Sequence, residues 1–400
     1  MGARLGPLFG VSRNVFFLGL TSLLTDTSSE MVNAVLPLYL TLALHFAPWQ
    51  YGIFDGLFQG FAGVLRLWGG LTADRQQWHK HIAAAGYAAS AACKAGLVVV
   101  GPVWLPTTLL LIVDRLSKGL RTPPRDALIA LSSERGSLGA AFGVHRAMDT
   151  AGLLIGPVVA FAILARAPSA FDAVFVVSCA FALAGLGALV LLVQNRTGEA
   201  RSTAASTSRR AVSELLQLPA FRTVLIAAGL LGFATIGDAL VYLVLQRQAQ
   251  LDPSMFPLLP FTVAVVYLLL AIPAGRLADR FGRARILLAG YGALGGMYAV
   301  LAWPMPGTLL ILSSLVLLGA YYACTEGVLM ALASEALPGD HVTTGLALLT
   351  TVTAVVRLFA STLFGLLWSW RGPTPAAAVF LCGLTAAFAM AAALLRRRGQ

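Results

Sequence analysis

Charged residues are scarce in this 400-residue chain, since Asp, Glu, Lys and Arg together make up only 11% of it. A soluble domain has about one quarter. Hydrophobic residues make up 58%, and the mean hydropathy is +0.81. Uncharged runs such as 173–193 and 372–395 are as long as the roughly 20 residues that cross a hydrocarbon core of about 30 Å. The composition excludes an ordinary soluble domain and predicts a membrane protein built from spanning helices.

Metal-binding and nucleotide-binding patterns are also lacking. The four cysteines all lie inside apolar runs, and their spacing indicates neither a disulfide framework nor a zinc site. The five histidines share no metal-type spacing, and the chain has neither a P-loop nor an HExxH motif. We therefore expect no cofactor and no metal, and coupling to ATP is disfavoured.

The excess of basic residues does not indicate nucleic-acid binding. The net charge is +11, but most of the basic residues fall in predicted loops on one side of the membrane, as the positive-inside rule describes. We expect no nucleic-acid partner. The pattern predicts a multi-pass protein of the cell (inner) membrane with both termini in the cytoplasm.

Apolar segments follow one another along the whole chain, and their even number agrees with two cytoplasmic termini. A stretch rich in Arg, Ser and Thr separates the sixth segment from the seventh and is typical of a linker, with a short amphipathic helix predicted at Ala211–Leu218. The predicted domains are an N-terminal six-helix bundle (1–193), a cytoplasmic linker (194–220) and a C-terminal six-helix bundle (221–400). The predicted spans are 14–44, 50–73, 82–101, 105–124, 138–165, 170–193, 221–248, 254–278, 286–304, 307–332, 343–370 and 373–395.

One charged turn occurs twice in the chain. GRLADRFGRAR, residues 275–285, lies at the end of the eighth predicted span. A less complete copy, GGLTADRQQWHK, begins at Gly70, at the end of the second predicted span. Asp279 and Asp74 are 205 residues apart (279 − 74), about half of the chain. Two like halves related by an axis along the membrane normal are the architecture of one family of secondary transporters, which bind substrate between the halves.

These turns carry a resemblance to the major facilitator superfamily. Residues 275–285 fit its G-x-x-x-D-R-x-G-R-[RK]-[RK] signature, short by one basic residue. The first-half copy departs from the signature, because Gln-Gln-Trp follows Asp74-Arg75 and the second glycine is absent. That departure bears on how tightly the loop turns.

Three further stretches resemble the same superfamily. Arg115–Gly119 resembles its R-x-x-x-G motif of the fourth helix, and Gly143 with Gly152–Pro157 resembles its glycine-rich fifth-helix motif, which is associated with antiporters. Thr25–Met31 and Asp114–Asp126 look like a prokaryotic branch of it. The resemblance extends over the whole chain.

The resemblance implies an all-α membrane protein with about twelve transmembrane helices in two pseudo-symmetric six-helix bundles. It implies a monomer in which the first, fourth, seventh and tenth helices line a central cavity. It also implies gating residues at the cytoplasmic face, although these loops have the alternative of being only topology anchors. The gating candidates are Asp74, Arg75, Arg125, Asp126, Gly275, Asp279, Arg280, Gly282 and Arg283, and the helix-packing candidates are Gly143, Gly152, Gly156 and Pro157.

Charged residues inside the predicted spans are costly at the bilayer centre and by default mark a pathway or a partner. Buried carboxylates are candidates for proton coupling because desolvation favours their neutral form, and a histidine changes charge near neutral pH. The proton-coupling candidates are Asp26, Glu30, Asp149 and His145. The substrate-binding candidates are Arg115, Lys118, Arg146, Asp238, Glu326 and Arg357.

Three of the basic candidates, Arg115, Lys118 and Arg146, are predicted to hold an anionic group of the substrate, because clustered cations in a low-dielectric cleft attract anions. Lys118 comes first, since the family motif gives Arg115 a competing role in proton transfer. The alternative is that these charges form structural ion pairs between helices.

These features favour a proton-coupled secondary active transporter, most simply an exporter that works as an antiporter of a small organic molecule by alternating access, with 1–193 rocking against 221–400. One alternative is an uptake symporter or exchanger of an organic anion such as a carboxylate or a metal chelate. The alternative of a different class is a non-transporting membrane enzyme or receptor. The expected partners are the substrate, protons and the lipid bilayer.

Overall fold

The computed structural model describes residues 11–58, 79–133, 138–196, 209–303, 305–338 and 342–397. This part of the chain is α-helical apart from short connections, a π-helical turn at Tyr39–Ala43 and a 3-10 turn at Pro253–Met255. The α-helices in chain order are α1 (Arg13–Leu38), α2 (48–58), α3 (His79–Val100), α4 (Trp104–Leu131), α5 (Leu138–Leu164), α6 (Phe171–Leu192), α7 (Arg209–Gln217), α8 (Pro219–Phe233), α9 (Asp238–Gln248), α10 (Leu258–Phe281), α11 (Arg283–Ala302), α12 (Gly307–Ser334), α13 (Val342–Arg371) and α14 (Pro373–Arg397).

Nine helical stretches among the described residues are long and apolar enough to cross a membrane, counting α8 with α9 as one. The prediction of an all-α membrane protein is confirmed. Neither α1 nor α4 is among the nine, because each combines its apolar residues with polar and charged ones. Those two helices hold most of the predicted proton-coupling and substrate-binding residues of the first half.

Most predicted spans agree with the helices to within a few residues. The amphipathic helix predicted in the linker is α7. The fourth span was predicted too short, because α4 continues past 124, through Pro123 and Pro124, to Leu131.

The predicted span 221–248 corresponds to one apolar stretch, Pro219–Gln248, but this stretch is not one continuous helix. The helix is interrupted at 234–237, between the end of α8 and the start of α9. Lipid offers no hydrogen bonds, so the irregular backbone of a spanning segment needs hydrogen-bond partners from the protein. Hydroxyl groups supply them: Tyr298 Oη donates to the carbonyl oxygen of Ala234 at 3.0 Å and accepts from the amide of Ile236 at 3.0 Å. The amide of Gly237 donates to Ser361 Oγ at 3.0 Å.

Contacts divide the described residues into two units. Unit 1 contains 11–39, 79–133, 138–196 and 253–258, and unit 2 contains 40–58, 209–252, 259–303, 305–338 and 342–397. Within unit 1, α1 packs against α5 and α6, and α3 packs against α4. Within unit 2, α11 packs against α12 and α14, and α8 packs against α13 and α14. The predicted domain boundaries at 194–220 stay a prediction.

Candidate functional site

Two acidic side chains of α1 meet basic side chains of α4 in unit 1. Lys118 Nζ lies 3.3 Å from Asp26 Oδ1 and 3.8 Å from Glu30 Oε1, and Arg121 Nη2 lies 3.8 Å from Asp26 Oδ1. We call these four residues the acid–lysine cluster. Arg121 is buried, whereas the Lys118 side chain is 32% exposed. One partly accessible lysine is therefore shared between two carboxylates.

Helix α5 packs closely against the face of α1 that carries Asp26 and Glu30, and two glycines permit this contact. A Cβ atom added at Gly152 would lie 2.7 Å from a backbone oxygen of α1 and 3.2 Å from Asp26 Cβ. One added at Gly156 would lie 2.7 Å from the next backbone oxygen on that face and 2.8 Å from Glu30 Cβ. Small residues permit such close helix packing in lipid. The helix-packing candidates Gly152 and Gly156 thus lie beside two proton-coupling candidates, in a helix that continues through Pro157.

A second polar cluster lies on the preceding turn of α1. His145 Nε2 is 2.9 Å from Ser22 Oγ, and its Nδ1 is 3.6 Å from Asp149 Oδ2. Arg125 Nη1 donates to Ser22 Oγ at 3.2 Å and lies 3.8 Å from Asp149 Oδ1. The contacts Ser22–His145–Asp149 resemble those of a hydrolase triad, but Ser22 and His145 are almost completely buried. This cluster can hold charge or a proton but cannot reach a substrate carbonyl.

The remaining candidates of unit 1 lie outside the acid–lysine cluster. Arg146 is 74% exposed and approaches Asp149 to 3.9 Å. Asp126 accepts hydrogen bonds from the neighbouring Arg125, and Arg115 is partly buried on α4. Gly143 is exposed, and a Cβ added there would meet no atom of the described structure within 4 Å. Two gating candidates, Asp74 and Arg75, lie outside the described residues.

The second charged turn lies in unit 2, between α10 and α11. Gly282 has φ +96°, a conformation that favours glycine. Arg283 Nη1 lies 2.7 Å from Glu335 Oε1, and its Nη2 lies 3.4 Å from Asp279 Oδ1. The turn is thereby linked to the end of α12. Gly275 and Arg280 lie on the last turns of α10, where the Arg280 guanidinium covers the Phe281 ring at 5.4 Å.

A cavity of about 260 Å³ lies within unit 2, beside the interruption between α8 and α9. Asp238, Glu326 and Arg357 all line it, although they come from three different predicted spans. Tyr322 Oη donates to Asp238 Oδ1, and Arg357 Nη2 donates to Tyr321 Oη at 3.2 Å. The structure therefore brings the three substrate-binding candidates of the second half together.

A further carboxylate lines this cavity. Asp55, on α2, is buried and accepts a hydrogen bond of 3.1 Å from Ser361 Oγ. A Cβ atom on Gly237 would collide with the Asp55 carboxylate. Glycine at the start of α9 thus permits the approach of Asp55 to the helix interruption.

Comparison with known proteins identifies the family. The model described as Major Facilitator Superfamily matches residues 18–361 and, in a second match, 231–400. This chain belongs to the Major Facilitator Superfamily. An uncharacterized MFS-type transporter of Methanocaldococcus jannaschii is 30% identical over 366 residues, which cover 90% of this chain and 89% of that protein.

Solved structures share the MFS fold with this chain. A mutant of the nucleoside transporter NupG matches with a TM-score of 0.75 at 14% identity, covering 96% of this chain and 99% of that one. A mutant of the peptide transporter POT matches with a TM-score of 0.78 at 15% identity, covering 99% and 96%. The chain is a membrane transporter and not an enzyme.

Sequence reasoning missed Asp55 and Lys94, which are charged residues within described helices of this MFS transporter. Lys94 Nζ lies 2.8 Å from Asp114 Oδ1 and donates to Ser90 Oγ at 2.9 Å, with its side chain 1% exposed. Both were detectable by the criterion used for the other candidates, since each is a lone charge in an apolar run.

Proposed function

We propose that this MFS protein is a proton-coupled secondary active transporter that exports a small organic molecule by antiport. The observation that supports the proposal best is the acid–lysine cluster. In it, Lys118 of α4 is shared by Asp26 and Glu30 of α1.

Protonation would change the cluster in a defined way. A proton on Asp26 removes the charge that faces both Lys118 and Arg121, which leaves Arg121 without its carboxylate and Lys118 with Glu30 alone. When a charged group packed between helices gains or loses its charge, the equilibrium between two conformations of those helices changes. Proton binding and release at Asp26 would thereby bias alternating access, and Asp149 with His145 would carry protons in the adjoining cluster.

Export is favoured by the position of the antiporter-type glycines. Gly152 and Gly156 hold α5 against the α1 turns that carry Asp26 and Glu30. A change in the charge of these carboxylates would therefore alter the contact between α1 and α5. In this proposal, the transporter is a monomer of the inner membrane with cytoplasmic termini, and the Asp279–Arg283–Glu335 contacts are made and broken as the cytoplasmic side closes and opens.

One alternative is uptake of an organic anion by symport or exchange. It is favoured by the row of basic residues on α4, in which Lys118 is accessible enough to exchange its carboxylate partners for a substrate anion. Symport and antiport differ in the direction of the accompanying proton movement, so a single measurement separates them.

That measurement is proton flux in liposomes that contain the purified transporter and a trapped pH dye. Organic anions, organic cations and neutral sugars are added outside in turn. We expect a solute-triggered pH change whose sign reports antiport, and a loss of that change in Asp26→Asn and Glu30→Gln. Asp172→Asn, an exposed acidic residue in the first turn of α6, is the matched control and should behave as wild type. A pH response that survives in Asp26→Asn and Glu30→Gln would refute the coupling role.

A further inference from the structure

The Arg357 guanidinium in the cavity of unit 2 differs in its partners from four cations of unit 1. Within the described residues it makes one hydrogen bond, to the phenol of Tyr321 at 3.2 Å, and no ion pair. An arginine has five N–H donors. By contrast, Lys94, Lys118, Arg121 and Arg125 each have a carboxylate within 4.0 Å.

This difference favours Arg357 as the site for a substrate anion, whereas the sequence favoured Lys118. An anion at Lys118 must displace Asp26 and Glu30, whereas the hydrogen-bond partner that an anion at Arg357 would displace is a phenol. Arginine also offers a planar fork that matches a carboxylate through two parallel hydrogen bonds. The cavity therefore contains an arginine suited to a carboxylate.

The same cavity is also acidic. Three carboxylates, Asp55, Asp238 and Glu326, line it with Arg357, which gives a formal charge of 1 − 3 = −2. A simple anion would make this charge −3, which is unfavourable in a low-dielectric site. A compound that carries both a carboxylate and an ammonium group leaves it at −2 and satisfies both kinds of lining residue.

The carboxylates differ in their availability to an ammonium group. Asp55 is buried and hydrogen-bonded to Ser361, which also accepts the amide of Gly237. Glu326 is exposed, and Asp238 is held at the start of α9 by Tyr322. Asp55 thus supports the helix interruption, and Glu326 and Asp238 are the groups that can receive a cation.

The size of the cavity limits the ligand. A volume of about 260 Å³ is just below the range of about 300–1,000 Å³ for drug-sized ligands. The cavity suits a short compound whose two charged ends are separated by a few carbon atoms.

We infer that the cavity of unit 2 binds a small zwitterion, with its carboxylate on Arg357 and its ammonium group toward Asp238 and Glu326. The inference rests on the proposed function, because it names the substrate class of that transporter. It concerns binding alone, so it can be tested without a proton gradient.

The experiment measures equilibrium binding to purified transporter in detergent by calorimetry. Two sets of probes each hold the carbon skeleton constant and vary the charge. The first contains 4-aminobutyrate, butyrate, butylamine and butyramide, and the second contains 4-(aminomethyl)benzoate, 4-methylbenzoate, 4-methylbenzylamine and 4-methylbenzamide. We expect the zwitterion to bind most tightly in at least one set, and Arg357→Gln to weaken it by about tenfold or more, because a charge-assisted bidentate contact is lost.

Three variants serve as controls. Arg371→Gln removes a positive charge near the end of the same helix, where Arg371 covers the Trp370 ring outside the cavity, and should leave the affinity unchanged. Tyr321→Phe keeps the Arg357 charge and should weaken binding less than Arg357→Gln does. If Arg357→Gln does not elute as a folded protein, Arg357→Lys takes its place, since it keeps the charge but loses the bidentate fork.

Several results would overturn the inference. These are an amine that binds as tightly as its zwitterion, affinity that does not change on substitution of Arg357, or no binding by any probe. A transporter that binds the zwitterion yet moves no protons would leave the inference standing and refute only the proton coupling.

Discussion

At the residue scale, the charges of unit 1 are organised as pairs with different degrees of burial. Lys94 is almost inaccessible and contacts Asp114 at 2.8 Å, whereas Lys118 is about one third exposed and contacts two carboxylates at longer distances. A short pair with a buried lysine favours a fixed structure. A looser, shared pair is better suited to a change of state.

Substitution of Lys94 tests the structural role. Lys94→Ala should destabilise the transporter, by up to about 3 kcal/mol, because it leaves the mostly buried Asp114 carboxylate without its cation. Replacing both residues, as in Lys94→Met with Asp114→Leu, should restore most of the stability, since an apolar pair of similar volume avoids the desolvation cost. Thermal unfolding in detergent measures both. Equal losses in the single and double variants would contradict the assignment of a structural pair.

At the element scale, the contact between α1 and α5 depends on glycine. Gly156→Ala should cost about 1–3 kcal/mol in folding stability, because the added Cβ atom meets backbone of α1 that cannot move aside. Gly187→Ala is the matched control within α6, where nothing lies within 4 Å of the added atom among the described residues. It should be neutral or stabilising by up to about 1 kcal/mol, since alanine favours helix. Thermal unfolding distinguishes the two, and equal behaviour would show that α5 adjusts freely.

The interrupted helix gives a second prediction at this scale. Tyr298→Phe removes the hydroxyl that binds both the Ala234 carbonyl and the Ile236 amide. Buried backbone groups left unsatisfied cost about 1–3 kcal/mol, so the variant should unfold at a lower temperature. Thr385→Ala removes an exposed hydroxyl on α14 that bonds only to its own helix and should change little. An unchanged Tyr298→Phe variant would mean that other partners satisfy the interruption.

The interruption also shows where sequence reasoning ends. Composition and the length of apolar runs were enough to predict the spanning helices, because a long apolar run has few other folds in lipid. The break at 234–237 depends on hydroxyls of Tyr298 and Ser361, which are distant in sequence and approach only in the folded unit. The meeting of Asp55 with Gly237 is of the same kind, because the residues come from separate helices and nothing local marks either as a partner of the other.

At the scale of the whole molecule, the proposals assign proton coupling to unit 1 and ligand binding to unit 2. The sequence predicted both sets of residues from their cost in a membrane, but it favoured Lys118 over Arg357 as the site for an anion. Ranking them required knowledge of which cation already has a carboxylate partner, and that is a property of tertiary contacts.

This division of labour predicts that the two functions separate by mutation. Asp26→Asn should abolish solute-driven proton movement but leave the affinity for the zwitterionic probe within about threefold of wild type, a change below ~1 kcal/mol. Arg357→Gln should lose the probe affinity and, with it, the proton movement that the same probe drives. Counterflow of labelled probe should persist in Asp26→Asn, because exchange of one substrate molecule for another does not require net proton transfer. If Asp26→Asn instead weakens binding as much as Arg357→Gln does, the acid–lysine cluster contributes directly to the binding site, and coupling would arise from competition of proton and substrate for the same charges.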